Sequence, residues 1–177
     1  MVSQQTLRYE VLSVADASRL SEVAIRAYCD HYLHLWHDAG SWYLARSFTT
    51  EALAQELLDE NARFYLIHLD EEPIGFLKLN RLKPSPCEPS LNALELERIY
   101  LQKTVTGKGI GTKIVQFVLD HARQIGRQVV WLKAMESSQD AIAFYQRMGF
   151  LLCGTSKLSF EAMREEYRPM VTMQQML

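Results

Sequence analysis

The spacing of apolar residues along the chain predicts a mixture of strands and helices. Seven segments show the two-residue alternation or the short apolar run that is typical of strands, and they are 7–14, 64–69, 74–80, 94–102, 129–134, 150–160 and 168–176. Four further segments place apolar residues at helical spacing, three of them behind a capping residue and one behind a glycine-rich segment. These helices begin after Asp16, at Thr49 or Thr50, near Ile110, and at Ser137 or Ser138. The first is predicted to continue to about residue 35.

The order of these elements predicts a single α/β domain over residues 1–177. A strand, two helices, three strands, a helix, a strand, a helix and two strands can form a mixed sheet with helices on both faces. Pro84, Pro86 and Pro89 exclude a central strand or a helix interior between 81 and 90. We interpret that segment as a surface loop, because the elements before it have too little partner surface to fold alone.

The strand predicted over 94–102 breaks its own alternation. Leu94 and Leu96 share one face, whereas the next apolar pair is Ile99 and Leu101. A shift of one residue is what a β-bulge produces, and bulges are common beside active sites. The sequence therefore predicts a bulge close to Glu97.

Composition narrows the classes of partner. The chain has 177 residues, 48% of them hydrophobic, and a formal net charge of -2. A sizeable core is therefore available, and nothing attracts the whole molecule to nucleic acid or to an anionic membrane surface. No apolar stretch approaches the length of a membrane span, and no charged region followed by an apolar run opens the chain, so we expect a cytoplasmic protein.

The cysteines and histidines suggest no cross-link and no metal. Cys29, Cys87 and Cys153 are odd in number and far apart, which predicts neither a disulfide nor a thiolate zinc site and favours a reducing compartment. His31, His34 and His37 recur at every third residue. On a helix the outer two would splay by more than half a turn, and no motif completes a ligand set, so we predict no metal.

Three glycines within five residues form the strongest local signal in the chain. Gly107, Gly109 and Gly111 follow a predicted strand and open a helix, where unpaired N–H groups and the helix dipole attract anions. The alternative is a tight turn without a ligand. A Walker loop would need a glycine five positions before Gly107, and Thr112 stands where a Rossmann fingerprint has its third glycine. The loop therefore predicts a phosphate site that is neither of these nucleotide loops.

The sequence V-T-G-K-G-I-G-T after L-E-R-I-Y-L, followed by D-A-I-A-F-Y-Q-R-M-G-F, resembles the GNAT superfamily of N-acetyltransferases. The resemblance is specific over 94–150 and extends in element order over nearly the whole chain. The loop pattern of that family, [QR]-x-x-G-x-[GA], aligns with Thr106, Gly109 and Gly111. Thr106 therefore replaces the usual Arg or Gln, and Ser138 stands where many relatives carry Asn.

The resemblance implies a seven-stranded, mainly antiparallel sheet, splayed between its fourth and fifth strands, with acetyl-CoA as cosubstrate and no metal. It implies that the pantetheine arm pairs with the backbone of the strand before the loop, and that the loop wraps the pyrophosphate. The residues implied to bind the cofactor are Ile99, Tyr100, Leu101, Thr106, Gly107, Lys108, Gly109, Ile110, Gly111, Thr112, Ser138 and Tyr145.

Acetyl transfer to an amine needs a base for the ammonium and a proton for the departing thiolate. Glu97 is the candidate base and Glu95 the second choice, because two neighbouring carboxylates raise each other's pKa. The alternative is that both are ion-pair partners of Arg98. By resemblance Tyr145 is the candidate acid, although its spacing also fits a core tyrosine. No cysteine lies beside a suitable histidine, so direct transfer is expected.

The first two helices form much of the acceptor site in relatives, and here they carry Tyr28, Tyr32, Trp36, Trp42 and Tyr43 together with Asp30 and Asp38. Aromatic faces and carboxylates suit an organic cation, while ordinary core packing explains the same residues. We take Tyr32, Trp36 and Glu97 as the substrate-binding residues.

The segment S-F-T-T-E-A-L-A-Q-E-L, with L-E-L-E-R-I-Y-L, is similar to the diamine and polyamine acetyltransferase branch of the superfamily. The expected partner is therefore a small-molecule amine, with a diamine or polyamine as the first candidate. A protein amino terminus or lysine, an amino sugar, and a CoA-binding regulatory domain without turnover are the alternatives. A homodimer is left open.

Overall fold

The computed structural model describes residues 6–177 and contains one seven-stranded sheet. The strands are β1 Leu7–Val11, β2 Ala62–Leu69, β3 Glu72–Asn80, β4 Ala93–Leu101, β5 Val129–Met135, β6 Leu151–Lys157 and β7 Pro169–Met176. Their spatial order is β1-β2-β3-β4-β5-β7-β6. Every neighbouring pair is antiparallel except β4 and β5, which run parallel. The predicted mixed and mainly antiparallel sheet is confirmed.

Within the described part of the chain, five helices cover the sheet, one more than the sequence predicts. They are α1 Ala17–Cys29, α2 Ser41–Ser47, α3 Thr50–Leu57, α4 Ile110–Gln124 and α5 Gln139–Arg147. The first helix ends at Cys29 instead of near residue 35, because a short 3-10 turn, Leu33–Leu35, brings the later apolar residues of the pattern into the same core. Apolar spacing alone does not distinguish that turn from a continued helix.

The additional helix α2 begins at a turn that the apolar pattern does not reveal. Ala39 and Gly40 have positive φ angles of 54° and 88°. The Asp38 carboxylate accepts hydrogen bonds from the N–H groups of Gly40 and Trp42, at 3.0 and 2.7 Å. These bonds satisfy backbone donors that the start of a helix leaves unpaired.

The sheet separates two hydrophobic cores, as the prediction of helices on both faces requires. The inward faces of α4 and α5 pack on one side, with residues such as Ile114, Val118 and Ile142. The inward faces of α1 and α3 pack on the other side, with Leu20 and Leu53. Among the described residues, no helix combines the length and the apolar character that crossing a bilayer requires.

The parallel strands β4 and β5 separate at one end. They pair only from Ala93 with Val129 to Leu96 with Leu132, although both strands continue beyond that point. In the β3–β4 pairing the register shifts between Lys78, opposite Arg98, and Leu79, opposite Leu96. The extra residue is Glu97, so the predicted bulge and the predicted splay are both confirmed, and they coincide.

The expectation that no disulfide forms is wrong. Cys87 and Cys153 are bonded across 66 residues of sequence, with their Cα atoms 6.1 Å apart, and Cys29 is a free thiol. The bond ties the proline-containing loop to β6. Short cysteine spacings give no hint of a partner so distant in sequence, and the argument from cysteines for a reducing compartment no longer applies.

Candidate functional site

A cavity of about 400 Å³ lies where β4 and β5 separate. The end of β4, the end of β5 and the start of α5 form one part of its wall, and aromatic residues from α1 to α2 form another. The residues named from sequence that line the cavity are Tyr28, Tyr32, Trp36, Tyr43, Glu95, Glu97, Ile99, Tyr100, Ser138 and Tyr145. Leu101 and residues 106–112 are not part of its lining. The structure therefore brings together the candidate base, the candidate acid and both aromatic candidates for acceptor binding.

The backbone of β4 presents an edge toward this gap. The Gln102 N–H donates to the Ile74 carbonyl at 2.8 Å, and the same register places Tyr100 opposite Phe76. Because successive residues of an antiparallel strand direct their N–H and C=O groups to opposite edges, those of Ile99 and Leu101 point toward the β5 side. There, β5 has already diverged.

Two details modify the predicted role of this edge. Tyr100 directs its backbone groups toward β3, and its ring packs in the aromatic core against Tyr28 and Phe76. The Leu101 carbonyl lies 3.0 Å from Nε2 of His31. Of these three residues, Ile99 therefore points both its N–H and its C=O group toward the gap, and neither group contacts His31.

The glycine loop lies immediately before α4. Gly107 and Gly109 have φ angles of 76° and 72°, and a side chain at either position would meet no atom within 4 Å. Glycine is therefore required there for its backbone conformation, and the space beside the loop is open. Gly111 has an ordinary helical conformation, and a Cβ there would lie 3.5 Å from the Phe144 ring.

The start of α4 has the properties of an anion site. Gly109 is the residue before the helix, so the first N–H groups from Ile110 onward have no partner within the helix, and the helix dipole adds partial positive charge. Thr106 stands in the place of the usual Arg or Gln, and its hydroxyl donates to the Lys103 carbonyl at 2.8 Å. Because that hydroxyl is bonded within the preceding turn, Thr106 contributes mainly its backbone groups to the possible anion site.

Tyr145 lines the cavity and is held by aromatic packing. Its ring makes edge contacts with Phe144 and Phe150, with centroid distances of 5.1 and 5.7 Å. Burial raises the pKa of Tyr145 well above its ordinary value, and the neighbouring Tyr32 hydroxyl adds to the effect. The Tyr145 hydroxyl therefore keeps its proton at neutral pH.

Glu97 lies in a network of charged and polar side chains at the bulge. Lys78 Nζ lies 2.9 Å from its carboxylate, Arg98 lies 3.4 Å away, and the Asn80 amide donates to it at 2.6 Å. Burial acts to raise the pKa of Glu97, but Arg98 and Lys78 outweigh burial, and the pKa falls below the ordinary 4.5. The expectation of a raised pKa is wrong, because Glu97 pairs with Arg98, the alternative given above, and also with Lys78, which the sequence does not reveal.

Glu95 faces the same cavity and is also paired. Lys83 Nζ, from the disulfide-linked loop, lies 2.6 Å from the Glu95 carboxylate. The Asn80 amide donates to Glu95 at 2.5 Å and also to Glu97. Both Glu95 and Glu97 therefore lie in ion pairs, and the Asn80 amide joins them.

The aromatic wall is built as the sequence suggests, but with residues that sequence reasoning missed. Trp36 stacks on Tyr43 at 4.7 Å, and its Nε1–H donates to the Tyr28 hydroxyl at 2.8 Å. The C-terminal half of the chain adds Leu158, Phe160, Met163 and Met170. A bridge between Trp36 and Met163 positions this segment, and such a long-range pairing has no local sequence signal.

The two aspartates predicted to accompany these aromatic residues are used elsewhere. Asp38 caps the start of α2. The Asp30 carboxylate accepts a hydrogen bond from the Lys103 N–H at 2.8 Å. Neither lines the cavity.

Comparison with known proteins identifies the family. The model of the acetyltransferase (GNAT) family matches residues 22–150. An uncharacterised N-acetyltransferase of Lactobacillus delbrueckii subsp. lactis is 31% identical over 107 residues, which are 60% of this chain and 62% of that protein. A probable spermine N(1)-acetyltransferase of Bacillus subtilis subsp. natto is 28% identical over 90 residues, 50% of this chain and 59% of that protein. These matches thus span less than two thirds of either relative.

Solved structures share the fold over nearly the full length. The crystal structure of PaiA N-acetyltransferase from Thermoplasma acidophilum, in complex with coenzyme A, aligns with a TM-score of 0.71 and 20% identity. The alignment covers 97% of this chain and 99% of that one.

Proposed function

The chain belongs to the GNAT family of acetyltransferases, and from this membership we propose that it transfers the acetyl group of acetyl-CoA directly to a primary amine. One observation carries the proposal beyond family membership. The end of β4, with a backbone edge toward the gap, lines the same cavity as the protonated Tyr145, and the chain then continues through the glycine loop to the anion-attracting start of α4. A thioester cosubstrate with a long polar arm and a pyrophosphate needs each of these features.

The residues present fit acetyl-CoA. The backbone of Ile99 and the Leu101 N–H would pair with the amide groups of the pantetheine arm, in the manner of an added strand. The loop from Thr106 to Thr112 would bind the pyrophosphate with backbone N–H groups, since the positive-φ glycines leave its outer side open. A structure related in fold is described as a complex with coenzyme A, which supports the same assignment.

Acetyl-CoA supplies the thioester whose acetyl group is transferred. In this proposal the Glu97 carboxylate accepts a hydrogen bond from the neutral acceptor amine and receives its proton as the new amide bond forms. Tyr145 holds a proton on its hydroxyl at neutral pH, as a proton donor to the departing sulfur requires. The apolar and aromatic wall keeps bulk water away from these groups.

A diamine or polyamine is the more specific candidate for the acceptor. The resemblance of the sequence to that branch favours it, and so does the description of one relative as a probable spermine N(1)-acetyltransferase. The placement of Asp30 and Asp38 outside the cavity does not favour it. We therefore propose primary amines as a class of acceptor.

The test is to incubate the protein with acetyl-CoA and a panel of amines, and to follow both release of CoA and the mass of the acetylated product. Amine-dependent release of CoA with a matching product supports the enzyme. Binding of acetyl-CoA without turnover, with small amines and with peptide amino termini or lysines, would favour a regulatory CoA-binding domain. No binding of acetyl-CoA would overturn the proposal.

A further inference from the structure

We propose that the preferred acceptor is a monoamine whose tail is uncharged and apolar, rather than a diamine or polyamine. This inference rests on the proposed function and narrows it to a class of substrate. It follows from the charges that line the cavity, from the chemistry of the remaining wall, and from the protein's own cations beside that wall.

The charged groups of the cavity already balance one another. Four charged residues line it, and they are Glu95, Glu97, Arg98 and Lys133. Both carboxylates have cationic partners within 3 Å, since Lys83 contacts Glu95 and Lys78 contacts Glu97, and outside the lining Glu56 pairs with both Lys78 and Arg98. A balanced site of this kind favours the neutral amine, which is the nucleophilic form, and it offers no surplus negative charge for a second ammonium.

The rest of the wall offers apolar contact. Its side chains carry no charge and include Trp36, Tyr43, Leu158, Phe160, Met163 and Met170. An alkyl or aryl tail gains free energy by burial against such a surface, in proportion to the apolar area removed from water. A second ammonium would lose its hydration there without gaining an ion pair.

A cation of the protein already occupies aromatic surface at this wall. The Arg46 guanidinium lies 5.4 Å from the centre of the Phe160 ring and 5.2 Å from the Trp42 ring. These rings are therefore already engaged in cation–π contacts, and Arg46 would repel a further ammonium. The two carboxylates in the cavity lining, Glu95 and Glu97, are paired with other cations, and Asp38 is bound to the backbone of α2.

Three amines of equal chain length test the inference: n-hexylamine, 1,6-diaminohexane and 6-aminohexanoate. They present the same reacting amine with a neutral, a cationic or an anionic tail. With the full chain and saturating acetyl-CoA, we expect kcat/KM for n-hexylamine to exceed the other two by about tenfold or more, the ratio that corresponds to about 1.4 kcal/mol. A higher value for 1,6-diaminohexane, corrected for its two amines, would overturn the inference, and so would a higher value for 6-aminohexanoate.

A binding measurement separates this inference from the proposed function. If none of the amines is acetylated, calorimetric titration of the same three into the acetyl-CoA-loaded protein still reports their order of affinity. Tightest binding of n-hexylamine would support the apolar cavity while the transferase proposal fails. Equal or reversed affinities would overturn the inference whether or not turnover occurs.

A single substitution should redirect the preference. Met170→Glu places a carboxylate on the cavity wall, and we expect it to move the ratio of kcat/KM by about tenfold toward 1,6-diaminohexane. Met170→Gln has a similar shape without the charge and should keep the preference for n-hexylamine. Met176 is on the same strand but is exposed and outside the cavity. Met176→Glu should therefore leave the ratio of kcat/KM for the two amines unchanged. An unchanged ratio in folded Met170→Glu protein would contradict the assignment of this wall to the acceptor tail.

Discussion

Tyr145 is the residue whose assignment depends most on a single atom. Its ring is packed between Phe144 and Phe150, so Tyr145→Phe keeps that packing and removes only the hydroxyl. We expect kcat to fall by about tenfold or more, toward the range of roughly 10²–10⁴ that proton transfer contributes when no water substitutes. Acetyl-CoA affinity and thermal stability should stay close to wild type. Wild-type kcat in this variant would return Tyr145 to a purely structural role.

Glu97 is predicted to determine the maximum value of kcat/KM in the pH profile and not the pH at the midpoint of its rise. Its pKa lies below 4.5, so the carboxylate is ionised across the neutral range. The rise of kcat/KM with pH then belongs to the acceptor amine, whose pKa is near 10. Glu97→Gln should lower kcat/KM by about tenfold or more while leaving the midpoint of that rise in place.

The matched control for Glu97 is Glu95, which shares the Asn80 amide but is paired with Lys83. Glu95→Gln should act mainly on stability, because it leaves Lys83 without its partner. A profile whose midpoint shifts in Glu97→Gln would mean that Glu97 titrates near neutral pH. The ion pairs with Lys78 and Arg98 would then have to break when substrate binds.

At the scale of elements, the sequence predicts what local chemistry determines. Alternation and capping residues identify all seven strands and four of the five helices, and the phase slip after Leu96 locates the bulge at Glu97. Pairings between distant segments have no such local signal. The disulfide between Cys87 and Cys153, the cations around Glu97 and the Trp36–Met163 bridge all depend on tertiary structure. The chemistry of the candidate site was therefore less predictable than its position.

Helix α4 provides a matched pair of glycines for testing the cofactor loop. Gly109 and Gly126 lie at opposite ends of the helix, have the same φ of 72°, and both face open space. Gly109→Asp and Gly126→Asp therefore introduce similar backbone strain, of about 1–2 kcal/mol. Only the first places a negative charge in the proposed anion site. We expect a large loss of acetyl-CoA affinity by calorimetry in Gly109→Asp alone, and equal losses in both would remove the loop from the cofactor site.

The disulfide joins two elements, and its contribution to stability can be measured directly. It holds the loop that carries Lys83, whose carbonyl accepts a hydrogen bond from the Trp131 indole at 2.9 Å. Cys87→Ser should lower the free energy of unfolding in urea by about 2–4 kcal/mol under oxidising conditions. A reductant should destabilise the wild type and leave Cys87→Ser unchanged, whereas Cys29→Ser should respond as the wild type does. No effect of reductant on the wild type would show that the bond does not form in solution.

At the scale of the whole molecule, β4 connects the two cores with the cavity. Ile99 and Leu101 pack toward the core of α4 and α5, and Tyr100 packs toward the core of α1 and α3. The edge of the same strand faces the gap. At the end of α1, the Asp30 carboxylate accepts a hydrogen bond from the Lys103 N–H. The neighbouring His31 places its Nε2 atom 3.0 Å from the Leu101 carbonyl. One strand and its flanking residues therefore connect the aromatic wall of the cavity with the glycine loop.

The ionisable groups distributed over the molecule predict that the free energy of unfolding is nearly constant around neutral pH and falls at both acid and alkaline pH. Hydrogen bonds from Arg19 to Glu10 and from Ser13 to Asp16 lower the pKa values of those carboxylates, and the cations around Glu97 lower its pKa despite burial. Such groups stabilise the fold above their unfolded pKa values, and the stabilisation is lost as pH falls through the lowered values. The acid limb should therefore begin below about pH 6.5, the ordinary value for histidine, because burial lowers the pKa of His121, and it should steepen below about pH 4.5, the ordinary value for glutamate.

The alkaline limb has the opposite sign and can be tested at Tyr9. Burial raises the pKa of Tyr9 from 10 to about 12, so its contribution to stability is complete below pH 10 and disappears as pH rises through 12. Its ring stacks on Phe117 at 3.9 Å, which Tyr9→Phe preserves. Urea unfolding at a series of pH values should give similar stability for both proteins at pH 7 and a smaller loss for Tyr9→Phe above pH 10. If the stabilities of the two proteins fell in parallel above pH 10, Tyr9 would ionise in the folded state at its ordinary pKa. Its burial against β2 and α4 would then not raise that pKa.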